Sequence, residues 1–185
     1  ENMRGFVDDV RSSGGIPILV TSIPQGNYLP NGHFKNYGFL DPYVNVTKEV
    51  AKEKKCDLVD LYQHACMELD KVGEKKGLKL YHIFPSGKFA TQPTGKNDHT
   101  HVVYSGAYFY AASFVKIAKE NKLPIANLFK DLKGDPMEDA LKEKATHLAP
   151  NYNEADAAAL EILDELDRED AEKARNKGNK EVNTI

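Results

Sequence analysis

No stretch of this chain approaches the roughly 18 consecutive apolar residues of a membrane-spanning helix, and no signal peptide is visible. No membrane partner is therefore expected. Cysteine occurs only twice, at Cys56 and Cys66. Cys56 opens an apolar strand and Cys66 falls in the next helix, so both read as free core thiols rather than a disulfide. Basic residues are not concentrated in one stripe, as a nucleic-acid surface would require. Lys52, Lys54 and Lys55 read instead as the solvated end of a helix. A start methionine is also missing: Glu1-Asn2-Met3 already lies inside a helical pattern with no capping residue before it. The expectation is an N-terminal truncation.

The 185 residues are enough for one domain of ordinary size with a real core, and 41% hydrophobic with 29% charged residues is a normal soluble balance. The net charge of -3 hides an asymmetry. Residues 1–133 carry 18 basic and 14 acidic side chains, and residues 134–185 carry 7 and 14. Gly134-Asp135-Pro136 marks the boundary between these parts. The second part is expected to be an acidic helical appendage: Asn153 caps a helix with an apolar face of Ala155, Ala158, Ala159, Ile162, Leu163 and Leu166, and Arg168 to Lys180 is fully polar. A partner-binding helix is the alternative there.

In the first part, Met3, Phe6, Val7 and Val10 recur at helical spacing, Ser12-Ser13-Gly14-Gly15 stops that helix, and Ile16 to Thr21 reads as a buried strand. A long loop from Ser22 to Asp41 follows, of a length that is often functional. Tyr43 to Lys55 reads as a helix, Cys56 to Leu61 as a second buried strand, and Tyr62 to Lys76 as a helix closed by Gly77. Such alternation predicts an α/β fold with parallel strands. Two parallel strands do not make a stable doubly wound sheet, so further strands are expected upstream. Ligands in such sheets bind beyond the carboxyl ends of the strands, where the long loop emerges. Pro85 to Thr100 is predicted to be irregular, Ser105 to cap a helix with the stripe Ala107, Tyr110, Ala111, Phe114 and Ala118, and Pro124 to Phe129 to form a last packed segment.

The sharpest chemistry lies in Asp98-His99-Thr100-His101, where a carboxylate three residues before an imidazole can hold one ring nitrogen and leave the other as a base. A metal site from His99 and His101 is the competing use, but no nearby cysteine or second acidic cluster completes it, and neither metal nor cofactor is expected. The serines are poor nucleophile candidates. Ser12 and Ser13 lie in a turn, Ser22 follows a strand without the glycines of a nucleophile elbow, Ser86 and Ser113 lack that context, and Ser105 reads as a cap. His33 and His82 are candidates for substrate contact; His64 and His147 read as helix-surface residues.

Gly95-Lys96-Asn97-Asp98-His99-Thr100-His101 followed by Ser105-Gly106-Ala107 resembles the last catalytic block of the SGNH or GDSL hydrolases, with the greatest likeness to the rhamnogalacturonan acetylesterase-like carbohydrate esterases. Ile16 to Pro24 and Val59-Asp60-Leu61 are softer matches, and the likeness covers roughly residues 1–132. The resemblance implies the C-terminal part of a flavodoxin-like, three-layer α/β/α fold, with Asp98 and His101 as two members of a catalytic triad. The nucleophilic serine and the oxyanion glycine and asparagine of that family belong to earlier blocks, absent from this chain. Gly95-Lys96-Asn97-Asp98 also spells the family's oxyanion asparagine pattern, but that block should precede the Asp-x-x-His by a long helix and a strand, and downstream there is only His147 without an aspartate three residues before it, so Asn97 is assigned to a loop.

The implied activity is hydrolysis of acetyl esters on a plant polysaccharide such as pectin, in an extracellular or periplasmic setting. A lipid acyl-ester hydrolase or thioesterase is the alternative within the same chemistry. Tyr28, Phe34, Tyr37 and Phe39 in the long loop are positioned either to stack on sugar faces or to pack the loop down. From another class, the alternative is a noncatalytic interaction module in which Asp98 and His101 pin a loop. The sequence further predicts that Asp98 and His101 approach within hydrogen-bonding distance, that an apolar sheet edge is exposed, and that the chain alone turns nothing over.

Overall fold

A computed structural model of the chain describes residues 2–88 and 92–142; the expected acidic helix from Asn153 lies outside the described residues. The described residues divide into two units, one of residues 2–83 and 97–142, the other including 84–88 and 92–96. In the first unit α1 spans Asn2–Ser12, β1 Ile18–Val20, α2 Asp41–Lys54, β2 Asp57–Val59 and α3 Leu61–Val72. A short α4, Glu74–Gly77, and a 3-10 turn at Leu78–Leu80 lead into β3, Tyr81–Phe84. Then come β4 at Lys96–Val102, α5 at Tyr104–Glu120, a second 3-10 turn at Pro124–Leu128, and α6 at Pro136–Lys142. No described helix is long and apolar enough to cross a membrane.

The alternation of helix and strand gives a small parallel sheet in which Ile18, Leu19 and Val20 pair with Asp57, Leu58 and Val59. This is an α/β arrangement, although two parallel strands fall short of the roughly five of a flavodoxin-like sheet. The strands are shorter and less covered than their apolar runs suggest. Val59 is fully buried, whereas Val20 is 42% exposed and Ile16 68%. A parallel strand normally has both faces covered, and β1 shows an uncovered apolar side among the described residues. On α1, likewise, only Val7 is buried and Phe6 stays exposed.

Helix ends follow local chemistry. α2 begins with Pro near its first turn and ends at Lys55, whose positive φ of 49° returns the cap N–H to Ala51 and Lys52 carbonyls. Asp60 caps α3 by accepting the Gln63 N–H at 3.2 Å and pairs with Lys48 of α2 at 2.6 Å. Thr21, at the end of β1, donates its hydroxyl to Asp60 at 3.1 Å and accepts the Tyr62 N–H at 2.8 Å. This buried hydroxyl ties the sheet to the start of α3. α3 stops at Gly73, φ 76°, rather than running on to Lys76, because its last turn hands the chain to a glycine in the left-handed region.

The core joins α2, α3, α5 and α6 through Val44, Leu61, Leu69, Leu80, Phe109, Ile117 and Met137. On α5 the buried face is Gly106, Phe109, Tyr110, Ala112, Ser113, Ile117 and Ala118, so Tyr110 and Ala118 of the expected stripe are buried while Ala107 and Ala111 are exposed. The stripe is thus shifted in part from the expected one; the helix starts at Tyr104 with Val103 as its cap, and Ser105 lies inside the first turn with its hydroxyl 3.5 Å from the Lys79 carbonyl. Gly134-Asp135-Pro136, read in the sequence as a break, is a helix start. Asp135 accepts the Met137 and Glu138 N–H groups at 3.0 and 3.2 Å, and Met137 and Ala140 enter the same core. The packed unit therefore continues through Lys142. The second 3-10 turn is less packed than expected, with Leu128 80% exposed. Of the cysteines, both free, Cys66 is buried and Cys56 half-buried, and burial pushes the Cys66 thiol up to about 12.

In the second unit, the described residues form a tight reversal. The Gly87 N–H reaches the Pro93 carbonyl at 2.9 Å and the Gly95 N–H the Gln92 carbonyl at 3.0 Å. Gly95 has φ 75°, and a Cβ there would lie 2.6 Å from the Ser86 nitrogen.

Two outcomes test this packing. A Cβ on Gly106 would sit 2.1 Å from the Leu80 carbonyl oxygen, so Gly106→Ala is expected to destabilise the chain by about 1–3 kcal/mol in urea unfolding. His64, expected on the surface, has a buried Nε2 with no hydrogen-bond partner among the described residues, and its ring stacks on Phe109 with centroids 6.4 Å apart. Burial lowers its pKa below 6.5, with Glu68, Lys116, Glu120 and Asp135 nearby. The unfolded chain protonates first, so stability is full above about pH 6.5 and falls as pH drops through the lowered folded value. His64→Phe is expected to flatten that part of the stability-pH curve measured by thermal unfolding.

Candidate active site

The Asp98–His101 pair is formed. Asp98 Oδ2 lies 2.8 Å from His101 Nδ1, while Asp98 Oδ1 accepts the backbone N–H groups of Thr100 and His101 at 2.9 and 3.0 Å. The setting differs from the predicted irregular loop. Both residues sit on β4, which pairs with β3. A run of Lys, Asn, Asp, His, Thr and His has no apolar alternation, so nothing in its pattern announces a strand. The two backbone hydrogen bonds from the Asp98 side chain supply local order in place of burial.

Three accepted hydrogen bonds hold the Asp98 carboxyl well below the usual carboxylate range, the His101 N–H being the largest influence, then the Thr100 N–H and the His101 ring. Asp98 is thus ionised at any neutral pH. Its side chain is 19% exposed and that of His101 78%. An imidazole that donates Nδ1–H to a fixed carboxylate carries its lone pair on Nε2, the tautomer a general base needs. No serine among the described residues is hydrogen-bonded to His101. Ser12 and Ser13 donate to the Asp9 carbonyl, Ser105 lies near the Lys79 carbonyl, and Ser113 is fully buried.

His99 has a different occupation. Its Nδ1–H donates to the Gly26 carbonyl, and its Nε2 lies 3.0 Å from the Asn97 carboxamide. With both nitrogens engaged it is not placed to join His101 on a metal, and no group of three or more His, Cys, Asp or Glu suited to one occurs among the described residues. The Gly26 N–H returns to the His99 carbonyl at 2.8 Å. Gln25 Nε2 donates to Thr100 Oγ1 at 2.8 Å. The long loop is therefore bound edge-on to the segment that carries the pair. Sequence reasoning missed Gln25, Gly26 and Asn97 in these roles; Gly26 was the one signal, as a glycine in a loop beside a predicted site.

The rest of that loop is anchored from below. Tyr81 OH donates to the Pro24 carbonyl at 2.8 Å and lies 2.7 Å from Tyr110 OH. Burial pushes both phenols well above their ordinary range, so they remain neutral donors. Tyr28 OH donates to the Leu69 carbonyl at 3.0 Å, and its ring meets buried Phe34 edge-on at 5.1 Å. The Phe34 N–H and the His33 ring both engage Asp70 of α3, at 2.7 and 3.1 Å. Tyr28 and Phe34 thus pack the loop down, while Tyr37 and Phe39 are 54% and 65% exposed.

No family model matches the chain, and no solved structure matches it. Over 120 residues, 65% of this chain, it is 27% identical to the rhamnogalacturonan acetylesterase RhgT of Bacillus subtilis (strain 168). The chain spans about half the length of that relative, 51%. This is a distant relationship to an acetylesterase over part of the sequence.

The ring state of His101 is directly measurable. Nitrogen chemical shifts of the 185-residue chain are expected to show neutral His101 with Nδ1 protonated. Asp98→Asn is expected to move the population toward the Nε2–H form that free histidine prefers, and an unchanged tautomer in that variant would remove Asp98 from its orienting role.

Proposed function

We propose that this chain supplies the acid-base half of a serine ester hydrolase acting on acetylated carbohydrate, with His101 as the base and Asp98 as the residue that orients it. The observation that carries the reading is the 2.8 Å contact between Asp98 and an imidazole that is otherwise exposed to incoming substrate. The partial identity to an acetylesterase supports the reaction class. In the proposed sequence His101 Nε2 takes the proton of a serine hydroxyl as its oxygen attacks the acetyl carbonyl. It returns that proton to the departing sugar alkoxide, leaving an acetyl-serine that water hydrolyses by the same proton path. Asp98, already ionised, stabilises the imidazolium formed in between.

The serine and the oxyanion donors are proposed to come from polypeptide outside these 185 residues. An oxyanion donor is worth about 2.7–4 kcal/mol where one has been removed in a protease, so this segment alone is expected to be inactive. Among the described residues β1 and β2 pair only with each other, which agrees with a sheet meant to continue. Acetylated plant polysaccharide is the proposed substrate and an extracellular or periplasmic location the proposed setting; no catalytic group is proposed in residues 134–185, of which Met137 and Ala140 belong to the core.

A second reading has its own support. Asp98 Oδ1 already accepts two backbone N–H groups, which a purely structural turn would also use. In that reading the chain is a noncatalytic interaction module. Release of acetate from an acetylated pectic oligosaccharide separates the two when measured for the chain joined to its upstream coding region. His101→Ala is expected to lower kcat by about four to six orders of magnitude with little change in thermal stability. Asp98→Asn is expected to cost about 10⁴, the size the handling of the wrong tautomer has in a serine protease. Full activity in His101→Ala would end the triad reading and favour the module.

A further inference from the structure

His99 and Thr100 separate Asp98 from His101, and both are held by groups that take no part in the proposed proton transfer. The His101 side chain is 78% exposed, so packing does not orient its imidazole. Asp98 does so through the turn between them, with Oδ1 accepting the Thr100 and His101 N–H groups at 2.9 and 3.0 Å and Oδ2 lying 2.8 Å from Nδ1. Those two backbone donors are spent inside the segment rather than on a neighbouring strand. The pair is then only as fixed as the backbone at His99 and Thr100.

The long loop grips both of these residues. The His99 carbonyl accepts the Gly26 N–H at 2.8 Å, and the His99 ring donates Nδ1–H back to the Gly26 carbonyl. Thr100 Oγ1 accepts Gln25 Nε2 at 2.8 Å, and the Gln25 carboxamide is itself oriented, because its Oε1 takes the Asn27 side-chain amide at 3.5 Å. The grip leads inward. Gly26 is buried, and the Pro24 carbonyl is held by Tyr81, which is 1% exposed. An exposed pair on a polar strand is thereby connected to the core through two side chains, His99 and Gln25. His99, with both ring nitrogens engaged, has none left for a substrate proton.

We propose that His99 and Gln25 are positioning residues for His101: by fixing the two residues between carboxylate and imidazole, they hold the turn in which Nδ1 meets Asp98 and Nε2 stays free as the base. The proposal rests on the acid-base reading of the pair for its effect on a reaction, and it adds the residues that keep the pair ready. The donor at His99 Nδ1 matters most, because it closes the two-way exchange with Gly26. The Gln25 contact to Thr100 is the second, weaker hold.

The His101 ring tautomer, read from nitrogen chemical shifts of the whole 185-residue chain, tests this without turnover when thermal unfolding of each variant is measured beside it. His99→Phe keeps a ring but no donor, and is expected to shift His101 from the Nδ1–H form toward Nε2–H. His99→Asn, whose amide nitrogen falls near the place of Nδ1, is expected to restore the Nδ1–H form, and His99→Gln, which reaches the Nε2 side, is not. Gln25→Ala and Thr100→Val are each expected to give a smaller shift, and the double variant no more than either alone. In the chain joined to its upstream coding region, His99→Phe is expected to lower kcat for acetate release by about tenfold to a hundredfold with KM nearly unchanged. A His101 tautomer unmoved in His99→Phe and in Gln25→Ala overturns the positioning role and leaves the reaction intact. So does a loss of kcat that follows thermal stability alone or that His99→Asn fails to rescue. Should His99→Phe not fold, the Gln25→Ala and Thr100→Val series decides the matter by the same readout. A tautomer that responds to His99, in a longer protein that releases no acetate, sustains the positioning role and sinks the reaction.

Discussion

The site depends on a place where no side chain fits. A Cβ on Gly26 would lie 2.5 Å from the Tyr81 ring, so only glycine lets the long loop pass between that ring and β4. There it exchanges two hydrogen bonds with His99, N–H to carbonyl in one direction and ring N–H to carbonyl in the other. Everything near the acid-base pair inherits its position from this crossing. Gln25 reaches Thr100 because Gly26 is seated; Tyr81 can hold the Pro24 carbonyl because its ring is covered by a backbone and not by a side chain. Tyr81 itself is almost fully buried, so at Pro24 the loop is fastened to the core by a phenol, as it is fastened further on by the Asp70 carboxylate.

Asp98 and His101 show how a strongly polar strand is ordered without burying much. Asp98 divides its two oxygens, one for backbone and one for the ring. The backbone share keeps the carboxylate ionised and immobile whether or not the imidazole is protonated. In the proposed reaction this would spare the pair any reorganisation as the imidazole gained and lost a proton.

Much of this was legible in the sequence. The Asp-x-x-His spacing announced a contact that exists, and the apolar runs around Leu19 and Leu58 announced a parallel pair. Less legible were features whose cause lies far away in the chain. β4 has no strand pattern because its order comes from Asp98 and from Gly26, some seventy residues earlier. The buried stripe of α5 is displaced because Gly106, not Ala107, is pressed on Leu80. Asp135-Pro136 looked like a break since the same two residue types start helices and end domains; only the core behind Met137 distinguishes them. Of four loop aromatics, composition did not separate Tyr28 and Phe34, which pack, from Tyr37 and Phe39, which do not.

The Thr21 hydroxyl carries a kinetic consequence. Its partners, Asp60 and Tyr62, lie 39 and 41 residues away in the chain. Bringing such distant segments together costs closure entropy that grows only as about (3/2)RT ln n, yet the whole of it falls before the first contact of the sheet is made. Helices such as α2 and α3 need no such closure. The parallel pair is therefore expected to form more slowly than either helix, and β1, apolar along its length, depends on that distant partner for its pairing.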